Sequence, residues 1–132
     1  MDIKCFLIEP TGEQDEDGHY IWHRPDTGER FKKYHWPAGA IWRATWYEEF
    51  PEWTGSDGKS YCCMTPGGEW FIDGRASNCT LNDDAIHKCW CRHGEAPDFT
   101  VDKNGNTCSA GAGSILVGSY HGFLRNGYLT GC

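Results

Sequence analysis

The stretch "PAGAIWRATWYEEF", residues 37–50, decides between two folds. Trp42, Trp46 and Phe50 recur every fourth residue, which suits one face of a helix. The same residues also read as an aromatic-rich strand over 40–46 followed by an acidic turn. The strand reading is preferred, because 17 glycines and 6 prolines cut the rest of the chain into pieces too short for long helices.

Working outward, the flanking segments read the same way. "IKCFLI" (3–8) is a first strand that Pro10 and Gly12 should end. Asp17-Gly18 suits a tight hairpin leading into "HYIWHR", where Tyr20 and Trp22 fall on one face by period-two alternation. "SYCCMT" and "EWFID" are further strands, with turns at Asp57-Gly58, Gly67-Gly68 and Asp73-Gly74. Beyond them, "FTVDKNGNTCS" reads as a hairpin around Asn104-Gly105. "SILVGSY" reads as one strand, and "FLRNGYL" as a hairpin around Asn126-Gly127. The expected fold is mainly β, built of short strands and hairpins, in a small single domain of 132 residues that zinc would help to stabilise. Within it, residues 1–69 form a variable β-rich half and 70–132 a half rich in cysteine and histidine.

Lys and Arg number 12 against 19 Asp and Glu, a net charge of −7, and no basic stripe runs along the chain. Phosphate neutralisation needs clustered cations, so nucleic acid is not an expected partner. The N-terminus has only a brief apolar run before "GEQDEDGH", so neither a signal peptide nor a membrane span is expected. Seven Trp, 6 Tyr and 6 Phe promise large burial per residue, and aromatics are also common interface anchors.

The chemistry concentrates in "SNCTLNDDAIHKCWCRHGEAPDFTVDKNGNTC", residues 77–108, with four of the eight cysteines and two of the six histidines. Without an export signal, clustered Cys and His point to metal rather than to disulfides. Four donors drawn from Cys79, His87, Cys89, His93 and Cys108 would close a zinc tetrahedron, although the spacing matches no C-x2-C knuckle. Disulfides and buried free thiols are the competing readings, and Cys5, Cys62, Cys63 and Cys132 are the candidates for bridges. Neighbouring Cys62 and Cys63 project to opposite faces of a strand and so should meet different partners.

Enzyme-like signals are incomplete. His93-Gly94-Glu95 has the H-x-E form of zinc deaminases, but no P-C-x-x-C follows. A Cys/His pair such as Cys79 with His121 would have to be made by the fold. Asp102, Asn104 and Asn106 begin a calcium-loop pattern that fails at Thr107 and Gly113. Asn78-Cys79-Thr80 fits a glycosylation triplet that a chain without export would not present to that machinery.

The residues from Trp70 to Thr130 resemble a group of small uncharacterised proteins of tailed bacteriophages and prophages. "RASNCT", "HKCW", "RHG", "TVDKNG-TC-AGAGSI" and "YHGFLRNGYLT" carry the resemblance in that order, while the N-terminal half contributes only "DTGE" and "GAIWRATW". The resemblance implies that Cys79, His87, Cys89, His93 and Cys108 form the motif and that Cys91 stands outside it. It also implies a phage context. Two functions are then expected to compete. One is a non-catalytic accessory virion component, capsid-decorating or tail-associated, contacting other phage structural proteins or itself. The other is a small metal-dependent enzyme or host-directed effector in the bacterial cytoplasm.

Overall fold

The computed structural model describes residues 2–76, 78–81, 83–84, 86–103, 107–108 and 113–131. Over these residues the protein is mainly β, with thirteen strands and two 3-10 turns. The central sheet is ordered β2 (Phe6–Leu7), β6 (Ala40–Arg43), β7 (Tyr61–Thr65) and β8 (Gly68–Phe71). β2 runs parallel to β6, and the other pairs are antiparallel.

Within residues 37–50 the strand is shorter than expected, Ala40–Arg43 rather than 40–46. Main-chain groups on both sides claim this segment: Ile8 N–H donates to Ile41 O at 2.9 Å and Ala44 N–H to Ser60 O at 2.8 Å. The four-residue spacing marks no common face, since Trp42 is 1% exposed while Trp46 is 38% and Phe50 43% exposed. Trp46 instead lies in a 3-10 turn, Thr45–Tyr47, and Phe50 precedes a second, Pro51–Trp53.

Register explains how one sheet serves two cores. Ile41 pairs with Cys63 and Trp42 with Cys62, so alternation sends Ile41 and Cys63 to one face and their neighbours to the other. On the first face they join Cys5, Trp70, Phe99, Leu124 and Leu129. Much of this core comes from a second sheet, ordered β1 (Asp2–Lys4), β13 (Tyr128–Gly131), β12 (Tyr120–Arg125) and β11 (Ile115–Val117). On the opposite face Trp42 and Cys62 meet Phe6, Ile8, Trp22, Trp36, Ala40 and Ala44. That side is covered by a three-stranded sheet of β3 (Glu9–Gln14), β4 (Tyr20–His23) and β5 (Arg30–Lys32).

Several expected boundaries move. The first strand breaks at Cys5, whose N–H donates to Gly127 O at 2.8 Å while Phe6 N–H donates to Gly39 O at 3.0 Å. The chain thus changes sheets there, and β1 ties the N-terminal end to the C-terminal strand. Pro10 does not end a strand but lies within β3, an edge strand where its missing N–H is tolerated. "SILVGSY" is two strands: Gly118 and Ser119 turn between β11 and β12. This turn packs on that of the β7–β8 hairpin, and a Cβ on Gly67 would lie 1.9 Å from Val117 O, so only glycine fits there. The Asn126-Gly127 hairpin is present, with both residues at positive φ, as that turn requires. Asn104-Gly105 lies outside the described residues, and β10 (Thr100–Asp102) pairs instead with β9 (Cys91–His93). No helix among the described residues is long and apolar enough to cross a membrane.

Candidate metal centre

Between β8 and β9 the described chain forms no strand. Its fixed points are polar. After the Asp73-Gly74 turn, Ala76 O accepts from Cys79 N–H at 3.2 Å, and Ala76 N–H donates to Cys89 Sγ at 3.2 Å. An isolated parallel bridge joins Lys88 to Thr107, which places the next residues, Cys89 and Cys108, side by side with sulfurs 3.6 Å apart. Lys103 Nζ donates to Cys89 O at 2.8 Å and ties down the same corner.

These anchors bring Cys79, His87, Cys89 and Cys108 together, with one ligand atom from each lying within 4.8 Å of the others. A tetrahedral zinc with ordinary bond lengths would set sulfur–sulfur edges of about 3.8 Å and sulfur–nitrogen edges of about 3.5 Å. The Cys89–Cys108 edge is 3.6 Å and the Cys79 Sγ to His87 Nε2 edge is 3.2 Å. The cluster is thus close to the size a single ion needs. Three of the four residues are buried, and Cys79 is half-buried. Thiolate and imidazole donors without a carboxylate suit a borderline or soft ion and not calcium or magnesium.

The histidine is oriented for this role. His87 is fully buried, and its Nδ1 lies 2.6 Å from Asp84 O. A carbonyl can only accept, so the bond to Asp84 O requires the proton on Nδ1 and leaves Nε2, 3.2 Å from Cys79 Sγ, as the nitrogen for an ion. Arg75 crowds both ring nitrogens, its Nη1 lying 2.6 Å from Nε2, 2.8 Å from Nδ1 and 3.9 Å from Cys79 Sγ. The same guanidinium also donates to Leu81 O at 3.4 Å and to Asp84 O at 2.8 Å. Burial and the neighbouring thiols push the Cys89 thiol up to about 11, so without a cation it stays protonated at neutral pH.

His93, expected as a possible ligand, is not in this cluster. It sits at the closed end of the β9–β10 hairpin, four residues from Cys89, which in extended chain is roughly 13 Å. Its half-exposed ring bonds Asp102 through Nε2 at 2.9 Å. Cys91 also stands apart from the four. The bridge candidates are thiols. Cys5, Cys62 and Cys63 are buried thiols, and no disulfide forms among the described residues, while Cys132 lies outside them. Cys62 and Cys63 do face opposite cores, as strand alternation requires. The hydrogen bond with Cys5, together with burial, drives the Cys63 thiol well above its ordinary range.

Two supporting residues were not among the site residues expected from the sequence. Arg75 stood in "RASNCT" with no role assigned to it. Arg92 fixes the hairpin that leads out of the cluster: its guanidinium lies 4.8 Å from the Tyr61 ring centroid and 5.1 Å from that of Phe99. It also bonds Asp73 at 3.1 Å and Asp57 at 2.9 Å. Asp73 in turn accepts from Tyr61 N–H at 2.9 Å, so one buried ion pair links the central sheet, the turn before Arg75 and β9. Asp15, Asp17 and His19 form a second group of donors, but Asp15 Oδ1 is already accepting two main-chain N–H groups of its own turn.

No protein-family model matches the chain, and neither the curated proteins nor the solved structures contain a significant match.

Proposed function

We propose that the protein is a non-catalytic structural and interaction module whose segment from Arg75 to Cys108 is closed by one zinc ion on Cys79, His87, Cys89 and Cys108. The observation that carries this reading is the donor set: three sulfurs and one imidazole nitrogen converge within 4.8 Å at a largely buried point. Four protein ligands fill a zinc tetrahedron, whereas a catalytic zinc keeps a position for water. An ion held this way supplies folding free energy to a segment with little regular structure.

The wider role proposed is that of an accessory component of a tailed-phage particle, decorating the capsid or associated with the tail, and contacting other particle proteins or further copies of itself. The resemblance of residues 70–130 to phage-encoded proteins supports it, as does a chain of net charge −7 with no basic stripe along its sequence. A metal-dependent enzyme or host-directed effector is the alternative, and it would need one of the four donors to give way to water.

Native mass spectrometry of protein purified without added metal tests the centre, compared with the denatured and unreduced mass. One zinc per chain with every thiol free is the expected result. A metal-free native mass, lighter by two hydrogens per bridge, would replace the centre with disulfides. Copurification with particles in many copies is expected of the virion role, and its absence would favour the effector.

A further inference from the structure

A cavity of about 590 Å³ opens on the aromatic side of the molecule, between the three-stranded sheet and the edge of the central one, with Tyr20, Trp46 and Lys33 in its wall. Its size suits one or two sugar rings or a comparable small molecule. It shares no residue with the metal centre.

Its walls are unusual in what they leave unsatisfied. Tyr20 and Trp46 remain 56% and 38% exposed, although large aromatic side chains are normally covered. Lys33 places its ammonium 4.5 Å from the Trp46 ring centroid, 5.1 Å from Tyr34 and 5.9 Å from Tyr20. Three ring faces hold the cation in place. They give it no hydrogen-bond acceptor, and among the described residues no carboxylate pairs with it. Neighbouring cations are differently placed: Arg43, also in the wall, is bonded through two nitrogens to Glu48, and Lys32 lies 3.8 Å from Asp15. Tyr34, which completes the ring set, has φ +71, a strained conformation for a bulky residue and one that clusters at binding sites.

We infer that this cavity is a binding site for a carboxylate-bearing sugar. A pyranose has an apolar C–H face that stacks on exposed aromatic rings and a rim of hydroxyls. The wall offers Tyr20 and Trp46 for the face, and Thr45 and Glu9 for the rim. The Lys33 ammonium, fixed and lacking a counter-charge, meets the carboxylate in a charge-assisted hydrogen bond. A cationic ligand is disfavoured because the Lys33 ammonium in the wall would repel it. A polyphosphate chain is disfavoured because a single uncompensated cation cannot offset the net charge of −7.

The test is a titration of the full protein with cellotriose oxidised to a carboxylate at C6 of one ring and, separately, with neutral cellotriose, followed by tryptophan fluorescence and saturation-transfer NMR. The acidic sugar should bind saturably and at least about tenfold more tightly than the neutral one, the discrimination one good charged contact supplies. Lys33→Ala should reduce the acidic sugar to the neutral level and leave cellotriose unchanged, with Lys33→Gln as a second variant of similar reach. Trp46→Ala should weaken both sugars, with an unchanged near-ultraviolet dichroism of the buried tryptophans showing that the fold is intact. Equal affinities for the two sugars, acidic binding that survives both Lys33 variants, or no saturable change with either sugar up to about 10 mM, the weak limit of specific recognition, would overturn the inference.

Discussion

The two sides of this molecule are held by different physics. Around Trp42 the chain is stabilised by area: Trp22, Trp36 and Trp42 are all at most 5% exposed, and the Trp36 and Trp42 ring centroids are 4.3 Å apart. Around Cys89 there is little area to bury, and the small cluster there consists of Cys89 and Cys108 with Ala76, Cys79 and Trp90 at its edge. One side needs only to exclude water, which is non-directional and tolerant of sequence. The other, on the proposed reading, needs a few donor atoms at fixed distances around an ion, which is exacting.

Truncating the aromatic side should cause the larger loss. Trp42→Ala empties the face where the central sheet meets the three-stranded one and should cost about 3–5 kcal/mol. Because Ile41 and Cys63 lie on the other face of the same strands, both cores should melt together in urea, and the metal should be released in the same transition. Metal release at clearly lower urea than the loss of tryptophan fluorescence would show that the two sides unfold separately.

Removing one ligand should have a smaller and more local effect. Cys108→Ser should abolish tight zinc binding, forfeiting about 2.7 kcal/mol when free metal stands a hundredfold above the dissociation constant. Hydrogen exchange should then quicken in the segment between β8 and β9, while amides of β6 and β7 keep most of their protection. Chelation of the wild type should reproduce the pattern. An unchanged exchange map after both treatments would mean that the ion contributes nothing to order, and the comparison between the two sides would fail.

The sequence was legible where its patterns are local. Turn pairs such as Asn126-Gly127 state their own backbone conformation, and alternation in "SYCCMT" correctly assigned Cys62 and Cys63 to opposite faces. The donor pool was visible as density, yet the choice of four was not. His93 and His87 look alike in sequence, and what separates them is the β9–β10 hairpin, which carries one away to Asp102 while Asp84 O orients the other. Likewise nothing local in "IKCFLI" shows that the chain changes sheets at Cys5, because the partners that divide it, Gly39 and Gly127, are remote. Lys33 gave no signal either, since the aromatics at positions 20 and 46 join Tyr34 beside it only after folding.

The smallest effect sharpens the view that the aromatic side rests on area rather than on polar contacts. Glu48 follows the 3-10 turn and accepts from Arg43 Nε at 2.6 Å, Arg43 Nη2 at 2.8 Å and Ser60 N–H at 3.0 Å. The Arg43 hydrogen bond is the main reason its carboxyl sits below the ordinary value of 4.5, with burial opposing. A carboxylate whose folded-state pKa is depressed stabilises the fold above its unfolded pKa, and that contribution disappears as pH falls through the lowered value. Arg43 is 45% exposed, so water screens much of the pairing, and Glu48→Gln should cost only about 1 kcal/mol at pH 7. The gap between wild type and variant should then narrow once the pH drops below 4.5 and close when Glu48 is protonated in the folded protein. Urea midpoints measured from pH 7 downward decide it. A gap that stays constant with pH would show that Glu48 acts through shape alone, whereas one approaching the loss from Trp42→Ala would show that this side, too, hangs on a polar contact.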